Sequence, residues 1–113
     1  MSKEVVIGID IGGTYTKLGI TDRSGKLFYD NAIETDKYDD PKSFAEAIHA
    51  ILHNDIGKKL DKFKILGIGI GAPNGNYYTG NIEYAPNLIW KGVIPFADIF
   101  GSIFNLPVAL TND

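Results

Sequence analysis

The chain has 113 residues, of which 44% are hydrophobic and 22% are charged, and its formal net charge is -3. This length fits one domain, and this balance argues against a disordered chain. The acidic charge disfavours a nucleic-acid partner, because nucleic-acid binders usually carry a basic face. Cysteine is absent, which excludes disulfides and thiolate metal sites and favours a cytoplasmic location.

The sequence pattern gives no sign of a membrane partner or of a second domain. No apolar run approaches the roughly 18 residues that a membrane-spanning helix needs. A strand pattern begins at Val5, and we expect this to leave no room for a signal peptide. With no internal repeat and no low-complexity linker, residues 1–113 are expected to form one domain.

Three antiparallel strands are predicted first. Residues 5–9 form a short, nearly apolar β-branched run, which indicates a central strand covered on both faces. A Gly-Gly turn at 12–13 leads to a second strand at 15–21, and a turn at 22–25 leads to a third at 26–35.

A helix is predicted next, opening at Pro41, where the missing N–H of proline does no harm. Lys58 and Lys59 would lie in its last turn, where the helix dipole favours cations. A fourth strand follows at 65–71 and should run parallel to the first, because the connection is a helical crossover. The helix would bury one face of apolar residues at helical spacing: Phe44, Ile48, Ile51, Leu52, Ile56 and Leu60.

The last third of the chain starts with an irregular segment, 72–94, in which Gly80-Asn81 is a two-residue hairpin signal flanked by short strand patterns. Pro95 opens a second helix that ends at Asn105, and residues 106–110 form a fifth strand. The order β-β-β-α-β-α-β predicts an α/β fold with a mixed five-stranded sheet. It resembles the ribonuclease H-like (actin-like ATPase) domain.

The first turn is a candidate phosphate site. Backbone N–H groups of Gly12 and Gly13 can converge on an anion, and the Thr14 hydroxyl adds a donor. Asp10, at the strand end, can hold Mg²⁺ through water. The same pattern also fits an ordinary hairpin turn with an aspartate that accepts turn hydrogen bonds.

Three further segments are candidates for a substrate site. The loop that starts at Gly71 follows the fourth strand, beyond whose carboxyl end ligands gather in open α/β sheets. Asn87 can both donate to and accept from a sugar hydroxyl, whereas Trp90 is read as a core residue. Asn112 and Asp113 end the fifth strand at the same edge. There Asp113 could act as a general base, and Asn112 could bind a neighbouring hydroxyl group. Plain polar turns and a polar chain end are the alternative readings.

The order and spacing of these motifs are more specific than any one of them. The segments IGIDIGGTYTKLGI, GIGIGAPNGNYYTGNIEYAPNLIW and IPFADIFGSIFNLPVALTND resemble the ROK (repressor, open reading frame, kinase) family over essentially the whole chain. The resemblance implies a first phosphate loop at Asp10, Gly12, Gly13 and Thr14, and a catalytic base at Asp113. It also implies sugar contacts at Gly71, Asn87 and Asn112.

One position departs from the usual family pattern. That pattern has Gly-x-Pro-Gly after the fourth strand, and here Asn74 replaces the second glycine. Asparagine tolerates a left-handed backbone better than other non-glycine residues, so the turn is expected to survive.

The resemblance implies an ATP-dependent hexose kinase that uses Mg²⁺, and we expect a homo-oligomer. It also implies a second lobe with the adenosine site, so residues 1–113 would be the N-terminal lobe of a longer enzyme and inactive alone. A ROK transcriptional repressor that binds sugar as an effector is the alternative, disfavoured by the acidic charge and by the early first strand. An actin-like scaffold is a third possibility, disfavoured by the segment around Asn87. The pattern leaves the identity of the hexose open.

Overall fold

The structure is a computed structural model that describes residues 3–113, apart from the side chain of Leu60. The predicted burial of the Leu60 side chain therefore lies outside the described residues. Two helices and eight strands form its framework. In chain order they are β1 (Lys3–Ile11), β2 (Tyr15–Asp22), β3 (Leu27–Glu34), α1 (Pro41–Ile56), β4 (Phe63–Ala72), β5 (Gly75–Asn76), β6 (Asn81–Glu83), β7 (Val93–Ile94), α2 (Phe96–Phe104) and β8 (Val108–Asn112).

The main sheet has five strands in the order β3-β2-β1-β4-β8. The strands β1, β2 and β3 are antiparallel neighbours, because turns of a few residues join them. The strands β4 and β8 each follow a helix, and β4 runs parallel to both β1 and β8. The predicted mixed five-stranded α/β sheet is therefore confirmed.

The core lies on one face of this sheet. In β1 the side chains of Val5, Ile7, Ile9 and Ile11 are at most 2% exposed, whereas that of Val6 is 40% exposed. Both helices contribute to the same core cluster. The prediction that β1 is covered on both faces is therefore wrong, because its second face lies open in this chain.

Helix α1 begins where the sequence predicts and ends earlier. The Asp40 side chain caps it by accepting a hydrogen bond from the Ser43 N–H at 2.9 Å. The α-helix stops at Ile56, and a 3-10 helix continues from Gly57 to Lys62. The prediction that Lys58 and Lys59 form the last α-helical turn is therefore wrong. Glycine has a low helix propensity, and helix ends often tighten into 3-10 turns.

The hairpin in the irregular segment has a longer loop than predicted. Its strands are β5 and β6, so the loop spans residues 77–80 rather than Gly80-Asn81. The Asn76 side chain accepts hydrogen bonds from the N–H groups of Tyr78 and Thr79, and the Gly80 N–H donates to the Asn76 carbonyl. This local bonding selects the four-residue loop. The third strand of this small sheet, β7, was not predicted.

Several strand limits differ from prediction by one or two residues, and two of these differences have a clear local cause. Thr35 begins a 3-10 helix instead of ending the third strand, and its hydroxyl lies 2.7 Å from the buried hydroxyl of Thr16. The fifth strand starts at Val108, because Pro107 lacks the N–H that a ladder needs. Helix α2 ends where predicted, with Asn105 in a left-handed conformation (φ 54°).

An aromatic cluster joins the two helices to the segment before α2. The Phe44 ring lies 4.8 Å from Trp90, 6.2 Å from Phe96 and 6.4 Å from Phe100, centroid to centroid. The Trp90 indole N–H donates to the Tyr38 carbonyl at 2.9 Å. The reading of Trp90 as a core residue is confirmed, because its side chain is only 4% exposed.

Candidate functional site

The carboxyl ends of three parallel strands meet at one edge of the main sheet. Asp10 of β1 pairs with Gly71 of β4, and Gly71 pairs with Thr111 of β8. The Asp113 N–H donates to the Ala72 carbonyl at 3.2 Å, which continues the ladder past the end of β8. The fold therefore brings the candidate residues of three separate segments to one place.

Two carboxylates face each other across Gly71. A Cβ added to Gly71 would stand 3.4 Å from the Asp113 Cβ and 3.7 Å from the Asp10 Oδ1. Loss of part of its hydration raises the pKa of the Asp113 carboxyl, and so do its hydrogen bond with Asp10 and the negative charge of Asp10. A raised pKa makes a carboxylate a better proton acceptor.

The first turn uses one of its N–H groups internally. The Gly12 N–H donates to the Tyr15 carbonyl at 3.0 Å, so in this conformation it does not point at an external anion. The expected convergence of both glycine N–H groups is therefore wrong for Gly12. Neither Gly12 nor Gly13 has a positive φ, so close approach of other atoms is what requires glycine here. The Thr14 side chain is exposed.

Gly13 and Asn87 join this turn to the segment around Asn87. A Cβ on Gly13 would lie 2.7 Å from the Asn87 carbonyl oxygen and 3.5 Å from the Asn87 Cβ. The backbones therefore touch, and the exposed Asn87 side chain lies beside the turn. A carboxamide in this position can donate to one hydroxyl and accept from another.

The Asn112 side chain is held by Asn74, which the sequence pattern indicates only as a turn-forming residue. Its Oδ1 accepts a hydrogen bond from the Asn74 N–H at 3.2 Å. Asn74 has φ 57°, as expected for a position where the family pattern has glycine. Its side-chain amide donates to the carbonyls of Glu83 and Tyr84 at 3.0 and 3.1 Å.

Sequence reasoning missed two features of this edge. Lys17 pairs directly with Asp10 across β1 and β2, and counting back from the Gly-Gly turn would have found this register. Tyr84 has φ 54° and is 72% exposed. The sequence does not indicate a left-handed backbone at Tyr84, because tyrosine disfavours that conformation.

The site is an open edge rather than an enclosed cavity. Asp10, Thr14, Asn87, Asn112 and Asp113 are all exposed, so they would form one side of a cleft. The exposed Asp10 carboxylate fits Mg²⁺, which usually takes one or two carboxylates and completes its shell with water and phosphate. Across residues 3–113 no group of three or more His, Asp or Glu side chains forms a metal cluster of protein ligands alone.

The helices of the described chain do not include one with the length and hydropathy to cross a membrane. Helix α1 is the longer of the two, at 16 residues, and it buries an apolar face against the sheet while its other side is polar.

The fold belongs to the actin-like ATPase class. In this chain a mixed five-stranded sheet carries the two helices, and the candidate site lies at the ends of the parallel strands. A ROK family glucokinase of Streptomyces griseus, solved with glucose and AMPPNP, has a similar structure, with a TM-score of 0.74 and 26% identity. The superposition covers 96% of this chain and 33% of that one. Residues 6–113 match the ROK family, and the chain belongs to that family.

Curated relatives include both enzymes and a regulator. A glucokinase of Halalkalibacterium halodurans is 31% identical over 100% of this chain and 34% of its own length. A protein of Caldicellulosiruptor assigned as a xylose repressor is 32% identical over 96% of this chain and 28% of its own length. The chain thus spans about a third of the length of these relatives.

Proposed function

We propose that this chain supplies the catalytic base, the first phosphate loop and part of the sugar site of an ATP-dependent hexose kinase. The observation that carries the proposal is the placement of Asp113 beside Asp10 at the joined ends of β1, β4 and β8. The similarity to glucokinases supports it. ATP, a hexose and Mg²⁺ are the proposed ligands, and the proposed location is the cytoplasm.

In the proposed mechanism Asp113 accepts the proton of a hexose hydroxyl as that oxygen attacks the terminal phosphorus of ATP. The bond from this phosphorus to the bridging oxygen breaks at the same time, and ADP leaves with that oxygen. The raised pKa of Asp113 favours the proton transfer. Asn87 and Asn112 orient the sugar, so that the reacting oxygen lies in line with the phosphate.

The Thr14 hydroxyl and the Gly13 backbone would bind phosphate oxygens. Mg²⁺, held through Asp10 and water, would neutralise phosphate charge, a principal part of catalysis in phosphoryl transfer.

The second candidate function is sugar sensing by a repressor, favoured by the xylose repressor similarity. Both functions use the sugar contacts, but only the kinase needs a proton acceptor beside a phosphate loop. Sugar binding is therefore common to the two proposals, and turnover separates them.

The test uses the parent protein, meaning a protein in which this chain is joined to a second lobe. A coupled assay would measure ADP formation from ATP and Mg²⁺ with a panel of hexoses, and a DNA library would be screened in parallel. Sugar-dependent ADP release with no DNA selection supports the kinase. Sugar binding without turnover, together with selection of a DNA site that sugar releases, would establish the repressor instead.

A further inference from the structure

We propose that Asn74 is a positioning residue that ties three segments of the site into one unit. This inference rests on the proposed function, because it concerns how Asn87, Asn112 and Asp113 are held. Asn74 itself lies in the turn between β4 and β5 and is not assigned a contact with sugar or phosphate.

Asn74 makes four hydrogen bonds to other parts of the site. Its backbone N–H donates to the Asn112 Oδ1 at 3.2 Å, and its carbonyl accepts from the Glu83 N–H at 3.0 Å. Its side-chain amide donates to the carbonyls of Glu83 and Tyr84. One residue thus links the end of β8, the turn after β4 and the segment that leads to Asn87.

One of the two side-chain bonds of Asn74 goes to a strained residue, Tyr84. Tyr84 has φ 54°, a conformation that is unfavourable for a non-glycine residue and persists only where its surroundings enforce it. The Tyr84 N–H donates to the Gly92 carbonyl at 2.9 Å, and the Tyr84 carbonyl accepts from Asn74. Asn87 comes three residues later, so the direction in which its segment leaves Tyr84 depends on this pair of bonds.

The backbone bond determines what Asn112 can offer a ligand. An N–H can only donate, so the Asn112 oxygen must face Asn74 and the Asn112 NH₂ group must face away from it. Asn112 can therefore offer donors to a ligand on the side that faces away from Asn74.

Three variants of the parent protein test this role. Asn74→Gly keeps the left-handed backbone and removes the side-chain donors, while Asn74→Asp keeps the shape and replaces the donor with an acceptor that faces two carbonyls. Asn105→Gly is the matched control, because Asn105 has φ 54° and lies at the opposite end of β8 from Asp113. The readouts are hexose KM, kcat and hydrogen exchange of residues 83–88.

We expect a rise in hexose KM of about tenfold for Asn74→Gly and a larger one for Asn74→Asp, with kcat changed less than KM. Hydrogen exchange at residues 83–88 should accelerate in both, and Asn105→Gly should leave KM and this exchange unchanged. A KM for Asn74→Gly within twofold of wild type would overturn the proposal. If the parent protein phosphorylates no hexose, the proposed function fails, and hydrogen exchange alone tests the positioning role. Unchanged exchange at residues 83–88 in the Asn74 variants would then overturn that role.

Discussion

Gly13 lies so close to Asn87 that a Cβ on Gly13 would stand 2.7 Å from the Asn87 carbonyl oxygen. Carbon atoms do not approach a carbonyl oxygen this closely without displacement, and here the obstacle is backbone, which yields less easily than a side-chain tip. The proposed phosphate turn and the proposed sugar segment are therefore in direct contact, and a shift in one moves the other.

Gly13→Ala should displace the two segments from each other and weaken both hexose and ATP binding in the parent protein. We expect a stability loss of about 1–3 kcal/mol, as for other overpacked sites. Gly57→Ala is the control, because Gly57 has helical φ and ψ of -53° and -38° and its added Cβ would meet only His53 at 4.0 Å. Thermal unfolding and ligand titration would check both, and a Gly13→Ala protein with wild-type affinities would show that the segments adjust independently.

Asp113→Asn keeps the shape of the side chain and removes the proton acceptor. A general base typically contributes about 10²–10⁴-fold, so turnover of the parent should fall at least that far while hexose binding persists. Parallel measurements of kcat and hexose affinity check this. Near-normal turnover in the variant would show that Asp113 is not the base.

Asn87→Ala removes a carboxamide proposed to bind sugar hydroxyls. We expect hexose affinity to fall by about 1–3 kcal/mol, the cost of leaving a polar partner unpaired, with a smaller effect on kcat than Asp113→Asn has. Asn54→Ala, at an exposed position of α1, is the control for loss of a surface carboxamide. Equal hexose affinities for the two variants would remove Asn87 from the sugar site.

Asp22 should stabilise the fold in a pH-dependent way. Hydrogen bonds from the Ser24 hydroxyl and the N–H groups of Lys26 and Ser24, together with the Lys3 ammonium at 3.2 Å, hold the pKa of Asp22 well below its usual range. A carboxyl whose folded pKa is lowered stabilises the fold above the unfolded pKa of about 3.9, and this contribution fades as the pH falls below that value.

Asp22→Asn should therefore lower the unfolding temperature near neutral pH, and the gap to wild type should narrow as the pH drops below about 4. Thermal scans across that range would measure it. Asn54→Ala, which removes no ionisable group from an exposed position of α1, should show no such convergence. A gap for Asp22→Asn that is independent of pH would contradict the assignment.

The open face of the main sheet should cause the isolated chain to self-associate. Val6 and Leu66 are each 40% exposed there, and they line a shallow groove with Gly67, Gly69 and Ala109. Large exposed apolar patches usually find partners. Light scattering should show species larger than a monomer, and the double change Val6→Lys with Leu66→Lys should reduce them. Tyr78→Lys, at a side chain 94% exposed on the hairpin loop, should not. A wild-type chain that stays monomeric at high concentration would refute this.

The strand directions were predictable from the sequence because turns and crossovers obey general rules. The short turns at 12–13 and 22–25 require antiparallel neighbours, and the helix that starts at Pro41 requires a parallel return. These rules also place the ends of β1, β4 and β8 together, which is why Asp10, Gly71 and Asp113 could be grouped before their contacts were known.

Burial and loop conformation were less predictable. The run Val5–Ile9 is apolar at almost every position, so it does not reveal that one of its faces lies open in this chain. The left-handed Tyr84 and its bond to Asn74 depend on a contact between residues ten apart in sequence, in a segment with no periodic pattern. The competing hydrogen bonds of Asn76 likewise decided the length of the hairpin loop.

The chain contains one tryptophan, and its position makes it an optical reporter of two events. Trp90 lies three residues beyond Asn87, and its ring packs on Phe44 in the core. Its emission should shift to longer wavelength when the core opens, since water then reaches the indole. A ligand that reorients the Asn87 segment should change the same emission without that shift, by altering the bond from the indole to the Tyr38 carbonyl. The emission of Trp90 would thus distinguish unfolding of this chain from the proposed sugar binding without an added dye.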